Sequence, residues 1–258
     1  MQPSEPCQFL EWDTAFFGWR IGRVTGTRLT GQRMVEIREW CRRRRIDCLY
    51  FLADLSDPET ISIAEENRFH LVAVRVTMLH DLPAVAEDSL PPTDAANVRE
   101  WRPGDLSLLC EIARESHTDS RYFFDRNFPD SACRAFYEEW IRRSCAGYAD
   151  RVLVAEDSGV PVGYITCHRR PRSFSSPESG QIGLIGVHRD ARGRGVGRGL
   201  IRRALRWFRQ EGIERVSVVT QARNIAAQCL YQSVGFRTYS VQTWYHKWME
   251  ENRGAVRP

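Results

Sequence analysis

Arg192, Gly193, Arg194, Gly195, Val196, Gly197 and Arg198 put three glycines and three arginines into one short turn. Glycines so spaced let successive backbone N–H groups face inward and let the chain approach a ligand closely. The apolar run at 182–187 before the turn has the pattern of a buried strand. Residues 196–211 after it have the pattern of a helix, with Val196, Leu200, Ala204, Leu205 and Phe208 on the inner side. A helix that starts there offers unpaired N–H groups and the positive end of its dipole. The chemistry this favours is pyrophosphate binding, with Arg192, Arg194 and Arg198 adding positive charge. A P-loop is excluded, because no Gly-Lys-Ser/Thr follows. A dinucleotide fingerprint fits poorly, because Gly193, Gly195 and Gly197 lack the G-x-G-x-x-G phasing.

The elements that must position this turn fall into two halves. The 258 residues leave room for two domains. Residues 81–93 carry prolines, alanines and acids without periodicity, as a linker would. The expected domains are therefore 1–92 and 93–258. In the first, 16–24 is expected to be extended with a break at Gly18, and 33–45 a helix burying Met34, Ile37 and Cys41. Residues 48–53 form a short apolar strand. Ser56 and Glu59, at capping-box spacing around Pro58, open a second helix, and 71–79 is a last strand. In the second, Leu106, Leu109, Ile112 and Ala113 mark a helix, and 132–144 another. Strands at 151–155 and 160–167 flank the turn residues 156–159. A loop at 171–180 precedes the strand, glycine turn and helix described above. A strand at 216–219, a helix at 224–234 and an extended segment at 236–248 complete it. This closing order repeats that of the first half, which suggests a degenerate copy.

The spacing R-x-x-G-x-G at Arg192, Gly195 and Gly197 resembles motif A of the GNAT superfamily of N-acetyltransferases. Downstream, Asn224, Ala227, Leu230, Tyr231, Gly235 and Phe236 resemble its motif B, N-x-x-A-x-x-L-Y-x-x-x-G-F. The family often has proline where this chain has Arg189. The resemblance implies an α/β (α+β) GNAT fold with a mixed, mostly antiparallel central sheet flanked by helices. A smaller α/β domain resembling a partial GNAT half would precede it. It implies acetyl-CoA as co-substrate, with no metal. The backbone of the 192–197 turn would hold the pyrophosphate. The strand at 182–187 would part from that at 216–219 to admit pantetheine, against the backbone of Ile185, Gly186 and Val187. Tyr231 would be the general acid, and Asn224 would contact the cofactor or a bound water. The residue types alone leave Tyr231 open as a core tyrosine and Asn224 as a plain helix N-cap. The base is likewise open among His117, Asp119, His168 and His188.

Two further stretches bear on the acceptor. Residues 10–18, and 120–125 together with 136–141, resemble a subgroup that acetylates nucleotide-linked amino sugars, dTDP-4-amino-4,6-dideoxyhexoses. Arg121, Tyr122 and Tyr137 supply the types such a ligand needs: a guanidinium for the diphosphate and rings for the base. Trp12 and Phe16 are expected to pack. Rival readings are another amine acceptor, such as an aminoglycoside, a polyamine or a protein N-terminus, and a non-catalytic acetyl-CoA-binding module.

Composition narrows the classes further. Formal net charge is +4, and Lys247 is the only lysine. The run Arg42 to Arg45 suits a solvated helix end, and no nucleic-acid motif accompanies it. The eight cysteines are scattered without a C-x-x-C pair, which argues against a zinc site or a disulfide framework. No run of 18 apolar residues occurs, and residues 1–6 lack a signal-peptide pattern, so a cytoplasmic protein without a membrane span is expected. The family resemblance implies a homodimer.

Overall fold

A computed structural model describes residues 5–82, 97–171 and 178–249. The expected linker at 81–93 falls almost entirely outside them, as does the middle of the expected loop at 171–180. Two compact units emerge. The first comprises 1–75, 120–129 and 241–258, and the second 76–119 and 130–240. The units interleave along the chain, because the segments 120–129 and 241–258 group with the first.

In the first unit, β1 (Cys7–Phe9) leads to α1 (Glu11–Phe17), β2 (Ile21–Val24), α2 (Gly31–Arg44), β3 (Cys48–Asp54) and α3 (Pro58–Glu66). The strand β4 (His70–Asp81) passes into the second unit. β1 and β2 pair antiparallel, β2 and β3 parallel, and β3 pairs antiparallel with the last strand, β10 (Arg237–Trp248). Thr30 caps α2 by accepting from the Arg33 N–H at 3.2 Å. The helix lays Met34, Ile37, Trp40 and Cys41 onto Leu49, Phe51 and Ala53 of β3. Two expectations need correction. The stretch at 16–24 is not extended from its start, since Phe16 and Phe17 end the helix α1, and the expected break at Gly18 is that helix's left-handed C-cap at φ 72°. Ser56 does not cap α3: its hydroxyl donates to Asp54 Oδ1 at 2.8 Å, and Asp57 takes the N-cap position.

The second unit continues with β5 (Asn97–Glu100), α4 (Leu106–Ser116), α5 (Asp130–Arg143), β6 (Arg151–Asp157), β7 (Val160–Arg170), β8 (Ser179–Val187), α6 (Val196–Gln210), β9 (Arg215–Gln221) and α7 (Ile225–Ser233). Its strands run β9-β8-β7-β6-β5; only β8 and β9 pair parallel. The β6–β7 hairpin turns on Ser158 and Gly159, both at positive φ (52° and 83°), as a type I′ turn requires. The α6 stripe Val196, Leu200, Ala204, Leu205 and Phe208 is buried with Ile182, Val216 and Val218. Each large apolar side chain buried there contributes roughly 1.5–3 kcal/mol. That face fixes α6 behind β8 and so aims the helix's N-terminus at the turn.

A polar pin secures the loop 120–129 within the first unit. Asp125 Oδ2 accepts from His246 Nδ1 (2.7 Å) and Trp248 Nε1 (2.8 Å), while Oδ1 accepts from the backbone N–H (3.0 Å) and Nδ2 (2.7 Å) of Asn127. These bonds hold the Asp125 carboxyl down at about 2, although its burial alone opposes ionisation. An ionised Asp125 makes Nδ1 the protonated nitrogen of His246, whose burial pushes its pKa down to about 4. The buried Cys48 thiol lies in the same cluster. With four donors on it, the Asp125 carboxylate is spent on positioning.

His246 therefore makes stability depend on pH. Its folded pKa lies below the unfolded value of about 6.5, so its contribution is present above pH 6.5 and is lost as pH falls through 4. The loss amounts to about 3 kcal/mol. The urea midpoint is expected to fall from pH 7 to pH 4.5, with a shallower fall in His246→Gln. A wild-type midpoint that stays flat over that range would rule the assignment out.

Candidate acetyl-CoA site

The strands β8 and β9 pair only at Gly180↔Val216, Gln181↔Ser217 and Ile182↔Val218. Beyond these pairs β8 runs on to Val187 and β9 to Gln221, and the described register pairs no further residues. The cause lies on the other side of β8. Between Ile165↔Ile185 and Cys167↔Ile182, β7 advances two residues while β8 advances three, a bulge that re-aims the strand. Thr166 stabilises it, its hydroxyl accepting the Leu184 N–H at 2.8 Å. The backbone at 183–187 is thereby left beside a gap between two parallel strands. Ile185 and Val187 turn their peptide groups toward it, where an extended chain with amide groups can hydrogen-bond, while Gly186 between them is in register with Tyr164 of β7 and faces that strand.

The gap leads to the glycine turn. Gly193 and Gly195 have φ of 74° and 83°, and a Cβ at either would meet no atom within 4 Å. The turn is thus open on its outer side, and its shape needs residues that tolerate left-handed backbone. Gly195 is the N-cap of α6, no side chain caps the helix, and no acid occupies its first turn. The first intrahelical bond runs from the Gly199 N–H to the Gly195 carbonyl at 3.0 Å. The N–H groups of Val196, Gly197 and Arg198 therefore lack helical acceptors and suit an anion. Gly197 serves packing: a Cβ there would stand 2.9 Å from the Leu230 side chain, so its absence lets α6 approach α7.

The arginines divide their work. Arg192 Nε donates to the Val187 carbonyl at 3.0 Å and braces the strand end against the turn, so that carbonyl is already engaged. Arg194 donates to Asp157 at 2.9 Å on the surface. Such an exposed pair contributes little and can be exchanged for a phosphate.

On α7, Asn224 Oδ1 accepts the Ala227 N–H at 3.0 Å, so Asn224 is an N-cap whose Nδ2 the cap does not use. Tyr231 is 3 % exposed, and burial raises its phenol above the ordinary value near 10. It therefore holds its proton throughout the neutral range.

The titratable candidates for a base separate. His117 Nε2 lies 2.9 Å from the Tyr164 hydroxyl and stacks on Tyr137 at 4.5 Å. Desolvation lowers its pKa to about 4, which leaves it neutral but weakly basic. His168 is buried against Tyr148, and desolvation lowers it too. His188 Nδ1 accepts the Asp190 N–H at 3.4 Å.

The predicted acceptor residues lie in different units. In the first, Arg121 sits over the rings of Trp244 (4.2 Å), Tyr50 and Tyr122 (both 4.6 Å), and donates to the Tyr122 hydroxyl at 2.7 Å. That hydroxyl donates to Asp13 at 3.3 Å, and burial raises the Asp13 carboxyl while Arg121 opposes the rise. Tyr122 is buried with Phe17 and Phe128, so its ring belongs to the packing. In the second unit, Tyr137 is buried between His117 and Trp140. Asp13, Tyr50 and Trp244 were not foreseen as partners of Arg121; the acidic Asp13 inside an aromatic stretch was the signal available for one of them.

The acetyltransferase (GNAT) family profile matches residues 107–236, just over half of the chain. The protein belongs to that family. The match covers the gap, the turn, Asn224 and Tyr231. The chain is 28 % identical over 167 residues to the spore coat polysaccharide biosynthesis protein SpsD of Bacillus subtilis, covering 65 % of this chain and 55 % of that one. It is 28 % identical to the mycothiol acetyltransferase of Pseudarthrobacter chlorophenolicus, covering 64 % and 48 %. It is also 28 % identical to the dTDP-fucosamine acetyltransferase of Escherichia coli, covering 55 % and 59 %. The chain thus spans about half the length of the curated relatives it matches. A crystal structure of a functionally unknown conserved protein from Staphylococcus epidermidis superposes with a TM-score of 0.64 at 15 % identity, covering 96 % of this chain and 92 % of that one. A tandem GNAT protein from the clavulanic acid biosynthesis pathway gives 0.57 at 19 % identity, covering 88 % and 75 %. These likenesses extend the fold over both units. Among the described residues, no helix is long and apolar enough to cross a membrane.

Proposed function

We propose that the chain transfers acetyl from acetyl-CoA to the amino group of a nucleotide-linked amino sugar, in the first instance a dTDP-4-amino-4,6-dideoxyhexose. The observation that carries the transferase reading is the parting of β8 from β9 beside an uncapped α6. The gap suits pantetheine, and the turn suits the pyrophosphate. The neutral amine attacks the thioester carbonyl, a C–N bond forms, and the C–S bond breaks. The backbone N–H groups of Ile185 and Val187, which face the gap, stabilise the developing oxyanion. Tyr231 gives its proton to the leaving sulfur, the surplus ammonium proton passes to solvent, and solvent returns a proton to Tyr231.

The acceptor rests on the likeness to dTDP-fucosamine acetyltransferase and to SpsD. Arg121, Tyr122 and Tyr137 are the side chains proposed to recognise it. In this reading Arg121 exchanges ring contacts for a phosphate, and Tyr122 holds it in place. The match to mycothiol acetyltransferases favours a second reading, an acceptor of that kind. One experiment separates them: coenzyme A release measured across a panel of dTDP-4-amino and dTDP-3-amino sugars, a mycothiol-type acceptor, an aminoglycoside and a polyamine. Turnover of a dTDP-4-amino sugar at least ~100-fold above the others is expected, a margin of about 2.7 kcal/mol in the transition state. Silence across both dTDP series would sink the nucleotide-sugar acceptor.

A further inference from the structure

In the first unit, α2 and α3 end in the same way. At the end of α2, the Ile46 N–H donates to the Cys41 carbonyl (3.0 Å) and the Arg45 N–H to the Arg42 carbonyl (3.2 Å). At the end of α3, the Phe69 N–H donates to the Ala64 carbonyl (3.0 Å) and the Arg68 N–H to the Glu65 carbonyl (2.9 Å). Both are Schellman motifs, in which the left-handed position ordinarily falls to glycine. Here that position is Arg45 (φ 50°) in one and Arg68 (φ 56°) in the other. Among the described residues, only Ser158 shares this backbone region without being glycine.

The two arginines meet at one place. A cavity of about 990 Å³ is lined by Arg38, Arg42, Arg45, Arg68, His70 and Lys247. Its acidic lining is Glu65 and Glu66, and Arg42 already pairs with Glu39 of its own helix at 3.1 Å, so the lining residues Arg38, Arg45, Arg68 and Lys247 carry four permanent cations against two carboxylates. A cation near a helix C-terminus is favoured by the dipole, but Arg42, Arg43 and Arg44 already fill the last turn of α2. The dipole therefore gives no reason to accept a strained arginine at the next position as well. The carbonyls that would repel an anion are occupied by the motifs' own N–H groups, and Lys247 donates to the Asn67 carbonyl. Strain retained twice, both times at an arginine that lines one cavity, points to a ligand.

We propose that this cavity is a second anion site, distinct in its residues from the glycine turn, that takes a small organic diphosphate such as a nucleoside diphosphate. Its volume lies at the upper end for small-molecule sites, and paired guanidinium groups match the oxygens of a diphosphate. The experiment titrates the full chain with inorganic pyrophosphate and with ADP, coenzyme A being kept saturating so that the glycine turn is filled. Saturable binding of one or both is expected, with ADP tighter where the nucleoside is also recognised. The double variant Arg45→Gly/Arg68→Gly removes both guanidinium groups and relieves both backbones. It is expected to weaken binding at least ~30-fold while leaving Tm unchanged or about 2 °C higher. Arg43→Ala, outside the lining, is expected to change affinity less than ~3-fold, as loss of a surface charge would. The proposal is overturned if neither probe binds, if Arg43→Ala weakens binding as much as the double variant, or if a DNA oligomer binds where neither diphosphate does.

Discussion

Gly195→Asp is expected to weaken acetyl-CoA binding at least ~100-fold, about 2.7 kcal/mol, while the chain stays folded. Two effects are superimposed at this position. The φ of 83° strains any L side chain, at about 1–2 kcal/mol. No atom lies within 4 Å of a Cβ there, so no clash adds to that strain. The carboxylate would then stand at the N-terminus of α6, which has neither a side-chain cap nor an acid in its first turn. It would satisfy the N–H groups proposed for the pyrophosphate and repel the ligand's charge. Gly195→Ala separates the two, since it carries the strain without the charge and is expected to cost roughly tenfold or less. Calorimetric titration with acetyl-CoA, beside a melting curve for each variant, decides the matter. Affinity unchanged in Gly195→Asp would move the pyrophosphate away from this turn.

The turn was legible because three local signals coincided there: the apolar strand, the glycines and the α6 stripe. Each depends on neighbours in sequence. The helix α6 begins at Val196 as its pattern requires, and α7 opens directly after Asn224. What sequence could not supply is register. The bulge opposite Ile165 and Cys167 exists only between two strands, and it is the bulge that parts β8 from β9. The short helix α1 was missed because its seven residues make only about two turns, too few for the Trp12–Phe16 spacing to stand out as a helical period. The interleaving of the units was not legible for a related reason. Asp125 ties the loop 120–129 to His246 and Trp248, more than a hundred residues later, and nothing local announces such a pairing. Arg121 and Tyr122 were picked out by type, and the structure shows why type is an incomplete guide. The same rings that could receive a ligand already enclose the guanidinium.

Tyr231→Phe is expected to lower kcat by about 10²–10³ while leaving the KM for acetyl-CoA and Tm nearly unchanged. The expected split follows from what the substitution removes. The ring stays, so its packing within the core of the second unit beside Phe236 stays. The hydroxyl goes, and with it the proton offered to the departing sulfur. A thiolate is a moderate leaving group, with a thiol pKa of about 8.5, which places the loss toward the lower part of the range for general acids. Burial raises the Tyr231 phenol, so the neutral, proton-donating form persists as pH rises past 10 and is lost only above the raised value. The wild-type kcat is accordingly expected to show no alkaline decline from this group below pH 10. The phenylalanine variant would be low and insensitive over the same range. The rival reading makes Tyr231 a core tyrosine under α7, and that reading predicts normal turnover in the variant. A kcat within twofold of wild type would therefore assign the residue to packing and leave the proton to solvent. A loss confined to kcat would tie the motif around Tyr231 to the step in which the C–S bond breaks.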